Sequence, residues 1–172
     1  MPFVSPSWSR RRVIRQAELL RLLLRHRVRF IVVGGAAAVI QGVPITTLDV
    51  DIVYDRSEDN LVALEAALAE LGAVFRTDDR KLRPDMSRLR STGHKLLITN
   101  LGVLDVLATI EDDVEYGALL ADSEDVAIGD LFVRVLTLER LIEVKTKLTR
   151  PKDRLMLEHL KATLDEKRKG CR

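Results

Sequence analysis

The sequence has one cysteine in 172 residues, Cys171, so no disulfide forms within the chain and a reducing cytoplasm is the expected setting. It also lacks a long apolar run. The longest, Phe30 to Ile40, contains Gly34 and Gly35 and is too short to cross a bilayer, so no membrane contact is expected. Arginines open the chain without an apolar signal core, which argues against secretion. His26, His94 and His159 share no metal-ligand spacing and read as surface or loop residues. Repeats and low-complexity tracts are absent. A net charge of only +2 gives no strong nucleic-acid signal.

What is present points to a folded enzyme-sized unit. Apolar residues make up 47% and charged residues 31%, a globular balance. The length fits a single domain over residues 1–172, with a core at about 28–135 and a helical part at about 137–168. Charge is unevenly placed along the chain. Residues 1–48 hold eight arginines and one acid, Glu18, whereas residues 105–133 hold nine acids and no Lys or Arg. That pattern reads either as solvated helix faces or as a basic surface for a polyanion.

Hydrophobic spacing predicts an amphipathic helix through Val13, Ala17, Leu20 and Leu24, with Trp8 packed on it. A strand at Arg29 to Val33 follows, then a short helix at Ala36 to Gln41, stopped by Gly42 and Pro44. Leu48 to Tyr54 is a second strand. Leu61, Leu64, Leu68 and Leu71 mark a helix with Ser57 as cap and Gly72 as stop. Residues 76–94 mix charges without a period and read as a long functional or mobile loop. Two hairpins are predicted, Lys95–Thr99 with Val103–Thr109 and Val126–Ile128 with Leu131–Val135. Helices at Leu138 to Leu148 and Pro151 to Lys167 close the chain. The order indicates α/β or α+β with a mixed sheet.

Chemistry concentrates in the second strand. Alternation puts Thr47, Asp49 and Asp51 on one face, with the two carboxylates roughly 6–7 Å apart. Unpaired, such carboxylates repel, and a divalent cation between them removes that penalty. The competing reading is a strand end open to water. Asp105 bears on the choice, because it is the lone charge in the apolar strand Gly102 to Ala108 and needs a partner. Three convergent carboxylates are the usual scaffold for two metal ions that clamp a phosphoryl displacement. Gly34 and Gly35, where a strand hands over to a helix, let backbone amides approach phosphate.

Gly34-Gly35, Thr47-x-Asp49-x-Asp51 and a later-strand Asp105 resemble the motifs of the nucleotidyltransferase superfamily, whose fold is shared with DNA polymerase beta. Gly34-Gly35-x-Ala37 through Gly42 and Thr47, with Lys145 and Arg150-Pro151-Lys152-Asp153, look like the AbiEii-type bacterial toxin nucleotidyltransferases and their short relatives. The resemblance implies a mixed sheet flanked by helices. Asp49, Asp51 and Asp105 would ligate Mg²⁺ or Mn²⁺, with Asp105 assisting nucleophile activation, and an NTP would be the substrate. It departs from those relatives at Ile45, where they often carry Arg.

Lys145 falls on the apolar face of its helix with Leu138, whereas Lys147 is rotated about half a turn away. Lys145 either snorkels to the rim or reaches into a cleft to meet triphosphate, with Arg150 and Lys152 assisting. Asp153 reads as a helix-start residue or a partner for these cations. Tyr54 and Tyr116 could serve as self-modification acceptors, but nothing in their sequence context singles them out. The expected activity is transfer of NMP from an NTP to a hydroxyl on a tRNA-like RNA 3′ end or on a protein side chain. A toxin–antitoxin role with a cognate toxin or antitoxin partner follows from the resemblance. Protein AMPylation and a non-catalytic nucleotide-binding or toxin-partner module are the rival readings.

Overall fold

A computed structural model describes residues 7–148 and 150–170, without the side chains of residues 7–14. The packing expected of Trp8, and Cys171, lie outside the described residues. In chain order the elements are α1 (Ser7–Arg25), β1 (Phe30–Val33), α2 (Gly34–Ile40), β2 (Asp49–Tyr54), α3 (Glu58–Glu70), β3 (Val74–Phe75), α4 (Met86–Arg90), β4 (Lys95–Thr99) and β5 (Gly102–Leu107). There follow β6 (Thr109–Ile110), β7 (Val114–Glu115), α5 (Tyr116–Leu119), β8 (Ser123–Ile128), β9 (Leu131–Leu136), α6 (Leu138–Thr146) and α7 (Pro151–Gly170).

Among the described residues the main sheet has seven strands in the order β3-β4-β5-β2-β1-β9-β8. It is mixed, as the alternation of helices and strands predicts: β2 runs parallel to β5 and β1 to β9, and the remaining pairs are antiparallel. Its centre is fully buried, so β1 is apolar at every position, Phe-Ile-Val-Val. Leu19, Leu20 and Leu23 of α1, with Leu61, Leu64 and Leu68 of α3, pack into the same core as Ile31, Ile52 and Val106.

Several expectations are corrected. Residues 76–94 are not all loop, because Asp85 caps α4 by accepting from the Arg88 amide at 2.9 Å. A helix of five residues is too short to leave a period in the sequence. Ser57 sits at the N-cap of α3, but its hydroxyl is engaged by Asp55 and Arg29 instead of a helix amide. At the other end of α3, Gly72 takes φ +63°, and the Ala73 amide bonds Leu68 while the Gly72 amide bonds Ala69, a Schellman stop. Tyr54 is buried with its hydroxyl donated to the Leu89 carbonyl, so it is no accessible acceptor.

Among the described residues, part of the charge separated along the chain is paired in space. Arg21 pairs with Asp130, Arg25 with Glu70, and Arg29 with Asp55 and Asp59. The acidic stretch gives Glu115 to Arg56 and Glu111 to Arg140 and Lys147. These arginines are matched within the chain, as the solvated-face reading expects of them. No helix among the described residues is long and apolar enough to cross a membrane.

Candidate active site

Parallel pairing sets Asp51 of β2 directly beside Asp105 of β5, and alternation puts Asp49 on the same face. Asp49, Asp51 and Asp105 each offer a carboxylate oxygen, and these oxygens lie within 4.8 Å of one another. The convergence expected from Asp105's isolation in an apolar strand is therefore present. Burial, and after it the charges of Asp49 and Asp105, push the Asp51 carboxyl up to about 7, against the pull of Lys145 and Arg76. Among the described residues no side chain or amide donates to the Asp51 carboxylate. A half-buried, donor-poor carboxylate between two others is a cation-seeking arrangement, and the donor set is the all-oxygen kind that suits Mg²⁺ or Mn²⁺.

The flanking residues are fitted to this cluster. Gly34 opens α2 at φ +63°, and a Cβ there would lie 2.6 Å from the Asp51 carboxylate, so both conformation and space demand glycine. Gly35 has a different neighbour: a Cβ on it would meet the Thr47 hydroxyl at 3.0 Å. Thr47 in turn lies 3.0 Å from an Asp49 carboxylate oxygen, to which its hydroxyl donates. Glycine pair, threonine and carboxylates thus form one packed unit. Only Gly34 of the pair reaches the cleft.

That cleft, about 490 Å³, runs from the carboxylates to the junction of α6 and α7 and is lined by Gly34, Asp51, His94, Glu111, Lys145 and Arg150 among others. Lys145 enters it, as the apolar-face argument predicts. Its ammonium is tied at 2.8 Å to Asp153, which Arg150 also holds at 2.8 Å. Asp153 is 1% exposed in the first turn of α7. Burial pushes its carboxyl up, but the hydrogen bonds from Lys145 and Arg150 outweigh burial and hold it below its ordinary value. Lys152 is exposed and does not line the cleft. Lys147, expected to point away, lines the cleft as well, because α6 ends at Thr146 and Glu111 reaches over to it at 2.7 Å. Glu111 makes that reach from a left-handed backbone, φ 51°.

Three contributors escaped the sequence. Arg76 donates to both oxygens of Asp105, at 2.8 and 3.1 Å. Burial pushes the Asp105 carboxyl up, the Arg76 hydrogen bonds and charge pull it down, and the net direction is upward. His94 lines the main cleft and also a second cavity of about 320 Å³ beside Phe75, Arg88 and Lys95. Glu111 is the third. None stands in a periodic segment. Arg76 and His94 bound the aperiodic stretch 76–94, which its length marked only as functional or mobile.

No protein-family model matches the chain, and no curated protein matches it. Solved structures do. TM1012 from Thermotoga maritima, assigned as a nucleotidyltransferase, aligns over 88% of this chain and 93% of its own, with a TM-score of 0.55 and 22% identity. The antibiotic-resistance factor ANT(2″)-Ia aligns in its solution structure over 88% of this chain and 83% of its own, with a TM-score of 0.56 and 18% identity. The crystal structure of ANT(2″)-Ia in complex with adenylyl-2″-tobramycin aligns over 85% of each chain, with a TM-score of 0.55 and 16% identity. The mixed sheet and its helices are therefore a nucleotidyltransferase fold.

Proposed function

We propose that the protein is a metal-dependent nucleotidyltransferase that moves a nucleoside monophosphate from an NTP to an acceptor hydroxyl and releases pyrophosphate. The observation that carries this reading is the convergence of Asp49, Asp51 and Asp105, with Asp51 opening onto a cleft also lined by Lys145 and Arg150. Asp49 and Asp51 would hold Mg²⁺ or Mn²⁺, with Asp105 beside them on the acceptor side. When bound, the ion supplies charge neutralisation to the phosphate oxygens.

The chain's own residues perform the rest. Gly34 keeps the backbone low beside Asp51 and so leaves room for phosphate. Lys145, oriented by Asp153, presents its ammonium to the triphosphate, and Arg150 adds a second cation across the same carboxylate. Lys152 stays at the periphery. As the acceptor oxygen bonds the α-phosphorus, the bond to pyrophosphate breaks. The hydroxyl proton passes to Asp105, whose affinity for a proton burial has raised. Catalysis of this kind is positioning and electrostatics more than covalent chemistry.

The acceptor is a tRNA-like RNA 3′ end or a protein side chain in the cytoplasm, and kinship with AbiEii-type toxins would make the protein a toxin–antitoxin component. A non-catalytic nucleotide-binding module is the second reading. Ile45 favours it, since it packs against the core where relatives often carry an arginine. Incubation with each alpha-labelled NTP, Mg²⁺ and total cell extract tests both. Label in RNA or in protein identifies the acceptor class; NTP binding without label transfer or pyrophosphate release supports the module and overturns the enzyme.

A further inference from the structure

We propose that Arg76 is a built-in cation that takes the place of a second metal ion at Asp105, so that the nucleotide-free site binds one divalent ion and not two. The inference rests on the metal reading above.

The placement of Arg76 is fixed by backbone as well as charge. Its amide donates to the Leu96 carbonyl at 3.0 Å, one residue beyond β3, and Leu96 is the register partner of Asp105 across β4 and β5. From there the guanidinium reaches over β4 to the carboxylate. Nη1 meets Oδ1 and Nη2 meets Oδ2, the fork-to-fork geometry in which both oxygens are used at once. Asp105 is 7% exposed, so its carboxylate is little screened by water, while the Arg76 side chain is 33% exposed.

The three carboxylates are thus unequal. Asp51 has no donor among the described residues, Asp49 has only the Thr47 hydroxyl, and Asp105 has a dedicated cation. An ion between Asp49 and Asp51 meets free oxygen lone pairs. A second ion at Asp105 would meet a guanidinium already seated there, and like charges at such range repel strongly. Charge counting agrees. Three carboxylates, one guanidinium and one divalent ion balance to neutrality, whereas a second ion would leave the cluster doubly positive before any phosphate arrives. Arg76 acts through Asp105 and is a positioning residue: it holds that carboxylate toward the acceptor side, away from metal ligation.

Manganese titration of the nucleotide-free protein, followed by electron paramagnetic resonance and calorimetry, tests this without turnover. The wild type is expected to bind one Mn²⁺ per chain. Arg76→Met keeps the aliphatic stem and removes the charge, and it should bind two. Arg76→Lys, which keeps a cation, should return to one. Asp105→Asn alone should still bind one ion with affinity within about threefold of wild type, and this variant keeps the inference open to test if Arg76→Met does not fold. Two ions in the wild type, one ion in folded Arg76→Met, or a loss of affinity beyond about tenfold in Asp105→Asn overturns the inference and leaves the metal reading standing. No Mn²⁺ binding in the wild type overturns the metal reading and the inference with it.

Discussion

On one face of the strands β2, β5 and β4 lie Asp51, Asp105 and the guanidinium of Arg76; on the other lie Tyr54, Val106 and Lys95. Both faces bury ionisable groups, and they do so in opposite manners. Lys95 is 2% exposed, and its ammonium donates to the Tyr54 hydroxyl and the Ser91 carbonyl. Tyr54 in turn donates a hydrogen bond to the Leu89 carbonyl, so the chain of donors ends on the last turn of α4 and ties that helix to the sheet. Asp51 has no such partners. Its charge is confronted by two more carboxylates and faces a cleft. A buried charge whose hydrogen bonds are satisfied supports the fold, whereas one left in want of a counter-charge is available to a ligand.

The sharpest way to break this comparison is Asp51→Asn. Turnover should fall by about a thousandfold or more, the scale of losing a principal electrostatic contributor. The metal-free protein should nonetheless melt at the wild-type temperature or above, because the change removes a like-charge contact and costs no donor. A metal-free variant melting several degrees lower would make Asp51 a structural residue and dissolve the contrast.

Next in size is the wall opposite. Lys145→Ala should weaken NTP binding about tenfold, or roughly 1.4 kcal/mol, by calorimetric titration. Lys147→Ala should change it by less than about threefold, since that side chain is 65% exposed and committed to Glu111. Equal effects would show that Lys145 gains nothing from its Asp153 support.

Much of the carboxylate face was readable beforehand because period-two alternation is local. Asp49 and Asp51 sit two apart in an apolar strand, and Asp105 is the lone charge in another, so the need for convergence is visible without knowing the pairing. Gly34 was readable as a close-approach glycine, though not its neighbour. Which carboxylate it accommodates depends on β1–β2 pairing, and that is a tertiary fact. Arg76 was unreadable for a related reason. It follows a strand of only two residues, and its partner lies 29 positions away across an intervening strand. Lys147 was misjudged because a helical wheel places side chains about an axis, while the cleft wraps around the end of α6. Lys95 read only as the first residue of a predicted strand. Its burial comes from α4, a helix too short to announce itself.

On the opposite face, Tyr54→Phe removes the hydroxyl that joins Lys95 to Leu89. A buried ammonium loses one acceptor and a buried carbonyl loses its donor, which costs about 1–2 kcal/mol. For a chain of this length that is a fall of roughly 3–6 °C in melting temperature. Mn²⁺ binding should be unchanged. A variant that lost metal affinity along with stability would show the two faces to be coupled through the sheet.

The last test is in pH, where the two faces should pull with opposite signs. Asp51 has its carboxyl raised from 3.8 to about 7, so between those values the folded state holds a proton that the unfolded chain has released. Stability of the metal-free protein therefore falls as pH rises through that window and levels off above about 7, with Asp105 adding in the same direction. Lys95 has its ammonium lowered from 10.5 to about 8, first by burial and then by the charge of Arg56. From about 8 upward the unfolded chain holds the extra proton, so stability rises with pH until Tyr54 begins to matter; in the folded state that phenol is raised from 10.0 to about 12. A minimum between about pH 7 and pH 8 is the expected outcome for the metal-free wild type. Asp51→Asn should flatten the lower limb and leave the upper one; Lys95→Met should do the reverse. Melting curves at intervals from about pH 5 to pH 9.5 read both limbs in one series. If Asp51→Asn keeps the full wild-type slope below pH 7, the carboxylate is not holding its proton, and the two faces do not differ in the way described.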